Sequence, residues 1–286
     1  MNLQLTCSYW GHEHLNALAF FDLLKSEKFD GVEINLPGDE KFVKDFVHQL
    51  NLIRKNKQEF VFIAQQVLTP KTETPDQYIV KMKERLEYLV SLQPDFINSH
   101  TGKDHFDFDD NCRIIEAAME ISVRSGIPIY HETHRGRFTF HPKTTLAYIK
   151  RFPELKLVAD LSHWCTVSES MLEDQPEMID FFLPNIAHIH ARVGNEHSPQ
   201  VNDPFAPEWE KHLSTFLQWW NKILAFQSGN GAKLFTITPE FGPVPYMPAL
   251  PYSLKPTADQ WEVNASFKNL LKKEFFSVNA KIVNEN

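Results

Sequence analysis

Cysteine is scarce in this sequence, and the little there is cannot pair up. Cys7, Cys112 and Cys165 are odd in number, far apart and free of any C-x-x-C spacing, which excludes a disulfide framework and argues against a zinc–thiolate site. Such usage fits a reducing compartment. Positive charge is in deficit as well. The formal net charge is −8, and an acidic surface repels phosphate backbones, so no nucleic-acid partner is expected. No apolar run approaches the ~20 residues that span a bilayer, and the opening MNLQLTCSYWG lacks a basic stretch followed by an apolar one. No membrane partner and a cytoplasmic location are therefore expected. Low-complexity tracts and interdomain linkers are missing too, and no Gly-x-Gly-x-x-Gly follows any strand-like run, which counts against a dinucleotide-binding open sheet.

What the sequence does contain is alternation. Short β-branched or apolar runs at residues 3–8, 31–36, 60–66, 96–100, 127–132, 155–160, 186–191 and 233–240 read as eight strands. Helical patterns lie between them, as in the apolar stripe of Phe42, Val43, Phe46, Val47 and Leu50. Thr74-Pro75-Asp76-Gln77 reads as an N-cap, a proline at the first helical position and a capping-box glutamine, and Thr257-x-x-Gln260 predicts a similar start for the last helix. Most units recur roughly every 30 residues, the size of a βα crossover. Eight such units predict an α/β protein, a single (β/α)8 TIM barrel spanning 1–286. A chain of this size folds without a staple, so any metal bound to it would serve function. Two long connections, from 192 to about 207 and from 241 to 256, follow strands and so belong to the C-terminal face, where barrel enzymes work. The second carries Pro243, Pro245, Pro248, Pro251 and Pro256 and should be stiff.

The period of two along a strand sorts the strand ends. Phe235 and Ile237 face one way, leaving Thr236, Thr238 and Glu240 facing the barrel axis. By the same rule Tyr130 shares a face with Glu132, and His188 with His190, while Asp160 ends the sixth strand. Four consecutive strands thus end in inward groups, Glu132, Asp160, His190 and Glu240. Carboxylates crowded at a low-dielectric mouth need a compensating cation. Three carboxylates and an imidazole suit one divalent metal ion, Mn²⁺ or Mg²⁺ ahead of Zn²⁺ or Co²⁺. His190 is preferred to His188 because it lies nearer the C-terminal end.

These strand ends, His131-Glu132-Thr133-His134, Asp160-Leu161-Ser162-His163, His188-Ile189-His190 and Pro239-Glu240-Phe241, resemble the xylose-isomerase-like barrel superfamily of sugar isomerases, ketose 3-epimerases, hydroxypyruvate isomerase, inosose dehydratase and endonuclease IV. The resemblance covers nearly the whole chain in strand order. It implies that Glu132, Asp160, His190 and Glu240 bind one metal, that Glu132 and Glu240 are the catalytic acid and base, and that His163 holds substrate oxygens. Arg192 corresponds to an arginine that stands further from the strand-seven histidine in the epimerases. The implied activity is a sugar, sugar phosphate or polyol isomerase or epimerase, working by proton transfer next to a carbonyl through an enediolate. The alternatives are an inosose-dehydratase-like lyase, an endonuclease IV-like phosphodiesterase and a catalytically silent sugar-binding barrel. The nuclease chemistry needs extra histidines, whereas strand three ends Ala64-Gln65-Gln66 and the strand-seven loop reads Asn202-Asp203-Pro204-Phe205.

Several residues carry two readings. His100, on a face with Asn98, either orients a ligand or sits satisfied inside. Trp10 and Trp164 either wall a sugar face or pack in the core. Arg135 and Arg137 either grip an anion or are solvated. Glu33 and Asn35 point inward and read as ordinary polar residues of a lower layer. The Trp219–Trp220 pair belongs to the core or to a subunit interface, and assembly into a homodimer or homotetramer stays open.

Overall fold

The computed structural model describes residues 1–69 and 71–284. All eight strands form, as β1 (Asn2–Ser8), β2 (Gly31–Ile34), β3 (Val61–Gln66), β4 (Phe96–Ser99), β5 (Ile129–Glu132), β6 (Leu157–Ala159), β7 (Ile186–Ala191) and β8 (Leu234–Pro239). They close in sequence order into a parallel barrel, with β1 meeting β8 through Asn2 opposite Leu234 and Leu5 opposite Ile237. Parallel neighbours need long crossovers, and here each crossover holds at least one helix. The chain is one (β/α)8 barrel.

Helix starts follow local chemistry. The helix α3 (Pro75–Ser91) opens with the expected capping box, Thr74 and Gln77 each bonding the other's backbone N–H. The last helix, α9 (Gln260–Asn284), departs from expectation. Its cap is Asp259, whose Oδ1 accepts from the Glu262 N–H at 3.0 Å. Thr257 instead bonds the Pro248 carbonyl, and Gln260 reaches the Trp10 carbonyl at 2.8 Å. A four-residue pattern matched two competing aspartate and threonine caps, and the loop geometry chose the aspartate.

Side chains facing the helix layer are apolar and form two clusters. One gathers Phe20, Phe21, Phe46 and Phe62 on the β1–β4 side. The other gathers Trp164, Phe182, Phe216, Trp220 and Phe267 on the opposite side. Each such side chain contributes roughly 1.5–3 kcal/mol on burial. The tryptophan pair is therefore core, with Trp220 1% exposed and Trp219 packed beside it. The barrel interior differs sharply. Val61, Ile63, Phe96 and Tyr130 plug its lower part, while Thr6, Glu33, Gln65, Asn98, His188, His190 and Thr238 fill the upper part. Strand parity as read from sequence holds on β5, β7 and β8. No helix among the described residues is long and apolar enough to cross a membrane.

Candidate metal centre

Where β6 ends, Asp160 leaves the sheet and caps the helix α6 (Leu161–Ser168), its Oδ1 accepting from the Ser162 N–H at 3.1 Å and from the Ser162 hydroxyl at 2.5 Å. Its other oxygen pairs with Arg192. His163 lies one turn into the same helix, its Nε2 3.0 Å from the Arg192 guanidinium. The Asp-x-x-His spacing thus places both side chains at one helix N-terminus.

His190 sits at the centre. Its Nε2 lies 2.9 Å from Glu33 Oε1, and its Nδ1 lies 2.9 Å from Glu240 Oε2 and 3.6 Å from Glu132 Oε2. That Nδ1 is buried and makes no hydrogen bond of acceptable geometry. A ring whose one nitrogen is held by a carboxylate while the other faces a cluster of acids has the usual arrangement of a metal-ligating histidine. His188 is spoken for, with Thr236 and Thr238 hydroxyls at 2.6 and 3.0 Å. One ligand atom each from Glu132, Asp160, His190 and Glu240 falls within 4.8 Å of the others.

Glu132 Oε2 accepts from Asn98 Nδ2 at 2.7 Å and lies 2.8 Å from His100 Nε2. Burial raises its pKa, but the His100 and His190 charges outweigh that and hold it well below the usual carboxylate range. Burial likewise works against a charge on His190, yet Glu240, Glu33 and Glu132 hold its pKa well above the ordinary imidazole value. Asp160 is pushed up to about 6, by burial first and then by Glu240 and Glu132, with Arg192 opposing. Four buried carboxylates against one guanidinium and one imidazolium leave two negative charges. A divalent cation displacing the His190 proton would cut that excess to a single negative charge, so the donor set and its charge fit the implied ion.

Beside this cluster a pocket of about 450 Å³ is lined by Glu132 and Glu240 together with Trp10, Gln65, Arg192 and Tyr246. The Arg192 guanidinium stacks 4.9 Å from the Tyr246 ring and 6.0 Å from that of Trp10. The Trp10 indole lies against Gly242, where any Cβ would fall inside the ring. A larger cavity, about 530 Å³, opens at the opposite end of the barrel around Gln4, Tyr130 and Thr236, and no candidate metal-binding group among the described residues lies there.

Trp10, His100 and Arg192 line the pocket, and His163 lies against the Arg192 guanidinium. Trp164 does not. It is fully buried, donates to the Thr139 carbonyl at 2.8 Å and packs on Phe182, so it is core and no sugar wall. Arg135 covers the outer side of Tyr246, and Arg137 lies outside the pocket lining. The main correction concerns Glu33. Far from an ordinary lower-layer polar residue, it contacts His190, Gln65, Asn98 and Thr238 at 2.5–3.1 Å. His188 also approaches it, at 3.5 Å. Its inward parity on β2 was the available signal. The residue also held at its centre, His190, lies 157 positions away.

No family model matches the sequence, and no curated protein matches it. The fold is similar to those of solved xylose isomerase-like TIM barrels. It is similar to a probable 3-DHS dehydratase of petrobactin synthesis from Bacillus anthracis, with TM-score 0.62, 13% identity and coverage of 94% of this chain and 98% of that one. It is also similar to 3-keto-D-glucoside 4-epimerase from E. coli, with TM-score 0.59, 13% identity and coverage of 95% and 100%. A xylose isomerase-like TIM barrel protein from Mycobacterium smegmatis in complex with magnesium gives TM-score 0.55, 12% identity and coverage of 84% and 90%. At these identities the likeness is one of fold.

Proposed function

We propose that the protein is a divalent-metal-dependent isomerase or epimerase that moves a proton at a carbon next to a carbonyl in a sugar, sugar phosphate or polyol-derived substrate. One observation carries the reading. Three carboxylates and one imidazole converge within 4.8 Å beside a pocket that two of those carboxylates, Glu132 and Glu240, also line. Glu132, Asp160, His190 and Glu240 would hold the ion, with Mn²⁺ or Mg²⁺ favoured by the oxygen-rich set. When bound, the ion would supply Lewis-acid polarisation of a carbonyl oxygen.

The rest is work for the chain. Glu132, kept ionised by its imidazole neighbours, is suited to accept a proton from substrate carbon, and Glu240, which also lines the pocket, would deliver one. Return to the opposite face of the same carbon gives epimerisation, and return to the adjacent carbon gives isomerisation. Arg192, clamped between Asp160 and the Tyr246 ring, presents its guanidinium to substrate oxygens. Trp10, packed beside Tyr246, offers an apolar wall, and burial of the cluster excludes bulk water from the reacting atoms. A lyase is the second reading, favoured by the dehydratase fold neighbour, because elimination begins with the same proton removal.

The test is a screen of sugars and keto-polyols in D₂O with added Mn²⁺, read as deuterium incorporated beside a carbonyl. Glu132→Gln and Glu240→Gln should each lower exchange by about 10²-fold or more. Both variants exchanging at the wild-type rate while binding Mn²⁺ normally would refute the proposal. Rapid cleavage of abasic DNA would move the reading to the nuclease.

A further inference from the structure

We infer that the cavity at the N-terminal end of the barrel is a second ligand site. It suits a planar, uncharged ring that carries an N–H next to a carbonyl, the edge presented by a nucleobase such as uracil. The cavity holds about 530 Å³, within the range of small-molecule sites. It lies below the plug of the barrel, and Val61, Phe96 and Tyr130 of that plug form part of its wall. Gln4 and Thr236, register partners across the β1–β8 seam, form another part. No residue of the four-residue cluster or of the pocket beside it lines this cavity.

Gln4 supplies the polar anchor. It is only 4% exposed, and its Nε2 donates to the Glu59 carbonyl at 3.0 Å. That bond fixes the amide and makes Oε1 the acceptor left over. Gln4 Oε1 is buried without a hydrogen-bond partner, a costly state that interior polar groups almost always escape. A ring N–H entering the cavity would satisfy it. Tyr130 borders the same cavity, and its hydroxyl has no hydrogen-bond partner among the described residues, so it can donate to a carbonyl. The Thr236 hydroxyl is already engaged, 2.6 Å from His188 Nδ1.

The rest of the wall sets shape and charge. The Phe96 and Tyr130 rings lie 4.7 Å apart with a tilt of 35°, and they offer aromatic surface on which a flat ring can stack. Charges at the rim cancel in sign, Glu59 against Lys233, and Asp95 against Arg54 at 2.6 Å. A neutral ligand is therefore favoured, because an ion would lose hydration there without a compensating partner. One acceptor, one donor and an aromatic face together select a lactam-type ring. This site shares no residue with the proton-transfer centre at the opposite end of the barrel, so the two stand or fall separately.

Uracil is titrated into the full chain by saturation-transfer NMR, and its position is read from crystals soaked in uracil. Saturation in the millimolar range, ordinary for a ligand of so few atoms, is expected, with density beside Gln4. The N,N′-dimethyl derivative of uracil keeps the ring and has no N–H, so it should bind about tenfold more weakly. Gln4→Leu should weaken uracil binding by about tenfold and close the gap between the two rings. No saturation by uracil, density confined to the pocket at Glu132 and Glu240, or equal binding of the two rings by the wild type overturns the inference. If Gln4→Leu does not fold by circular dichroism, Tyr130→Phe must weaken uracil binding instead, and unchanged binding overturns the inference equally.

Discussion

At the scale of the residue, the decisive group is Glu33. It is fully buried, and the His190 charge together with the hydrogen bonds of His188 and His190 holds its pKa well below the carboxylate range against the effect of burial. It fixes the ring of His190 and helps keep that ring protonated when no ion is bound. A metal must displace that proton, and below about pH 6 the Asp160 proton as well. Affinity should therefore rise with pH, by about tenfold per pH unit for each proton displaced. Glu33→Gln should weaken Mn²⁺ binding about 10–100-fold and flatten the pH dependence, because the ring then holds its proton less firmly. Chelator-competition titrations across pH would check both, and an affinity independent of pH in the wild type would contradict the charge account. Glu132, Asp160 and Glu240 were legible because strand parity and strand-end position act over a few residues. Glu33 and Trp164 were misread or left ambiguous because their partners, His190 and Phe182, come from elsewhere in the chain.

At the scale of the element, the strands follow from runs that any neighbour would have stabilised, and all eight expected strands shift by at most two residues at either end. The exception in kind is β6, which stops at Ala159 because Asp160 is recruited as the cap of α6. One side chain thus both ends a strand and enters the site. Caps of this sort carry measurable stability. Thr74→Ala and Asp259→Ala should each cost about 1 kcal/mol, read as a shift in urea midpoint without a change in slope. Thr74 was legible because its capping box is wholly local. Asp259 was hidden because Thr257 offered a rival cap, and the choice between them depends on Thr257 being drawn to the Pro248 carbonyl.

At the scale of the whole molecule, the outer apolar clusters hold the barrel and leave its upper interior free for polar groups. The fold should then survive removal of any ion. After chelation the far-UV circular dichroism should persist, while Mn²⁺ at about 100 times its Kd adds about 2.7 kcal/mol and raises Tm by on the order of 5 °C. Unfolding on chelation would instead make the ion a structural staple.

The sequence by itself determined the barrel, its eight strands in order, the inward face of β5, β7 and β8 and the acids and histidines at the strand ends. Those are consequences of hydrophobic period and local capping, which involve neighbours along the chain. Only the tertiary structure decided which histidine meets the carboxylates, that Glu33 holds it, that Arg192 pairs with Asp160, and that Trp10 borders the pocket while Trp164 is core. Each of those rests on closure of β1 onto β8 and on contacts between residues tens to hundreds of positions apart. Burial and distance there emerge from packing, which no stretch of sequence carries alone.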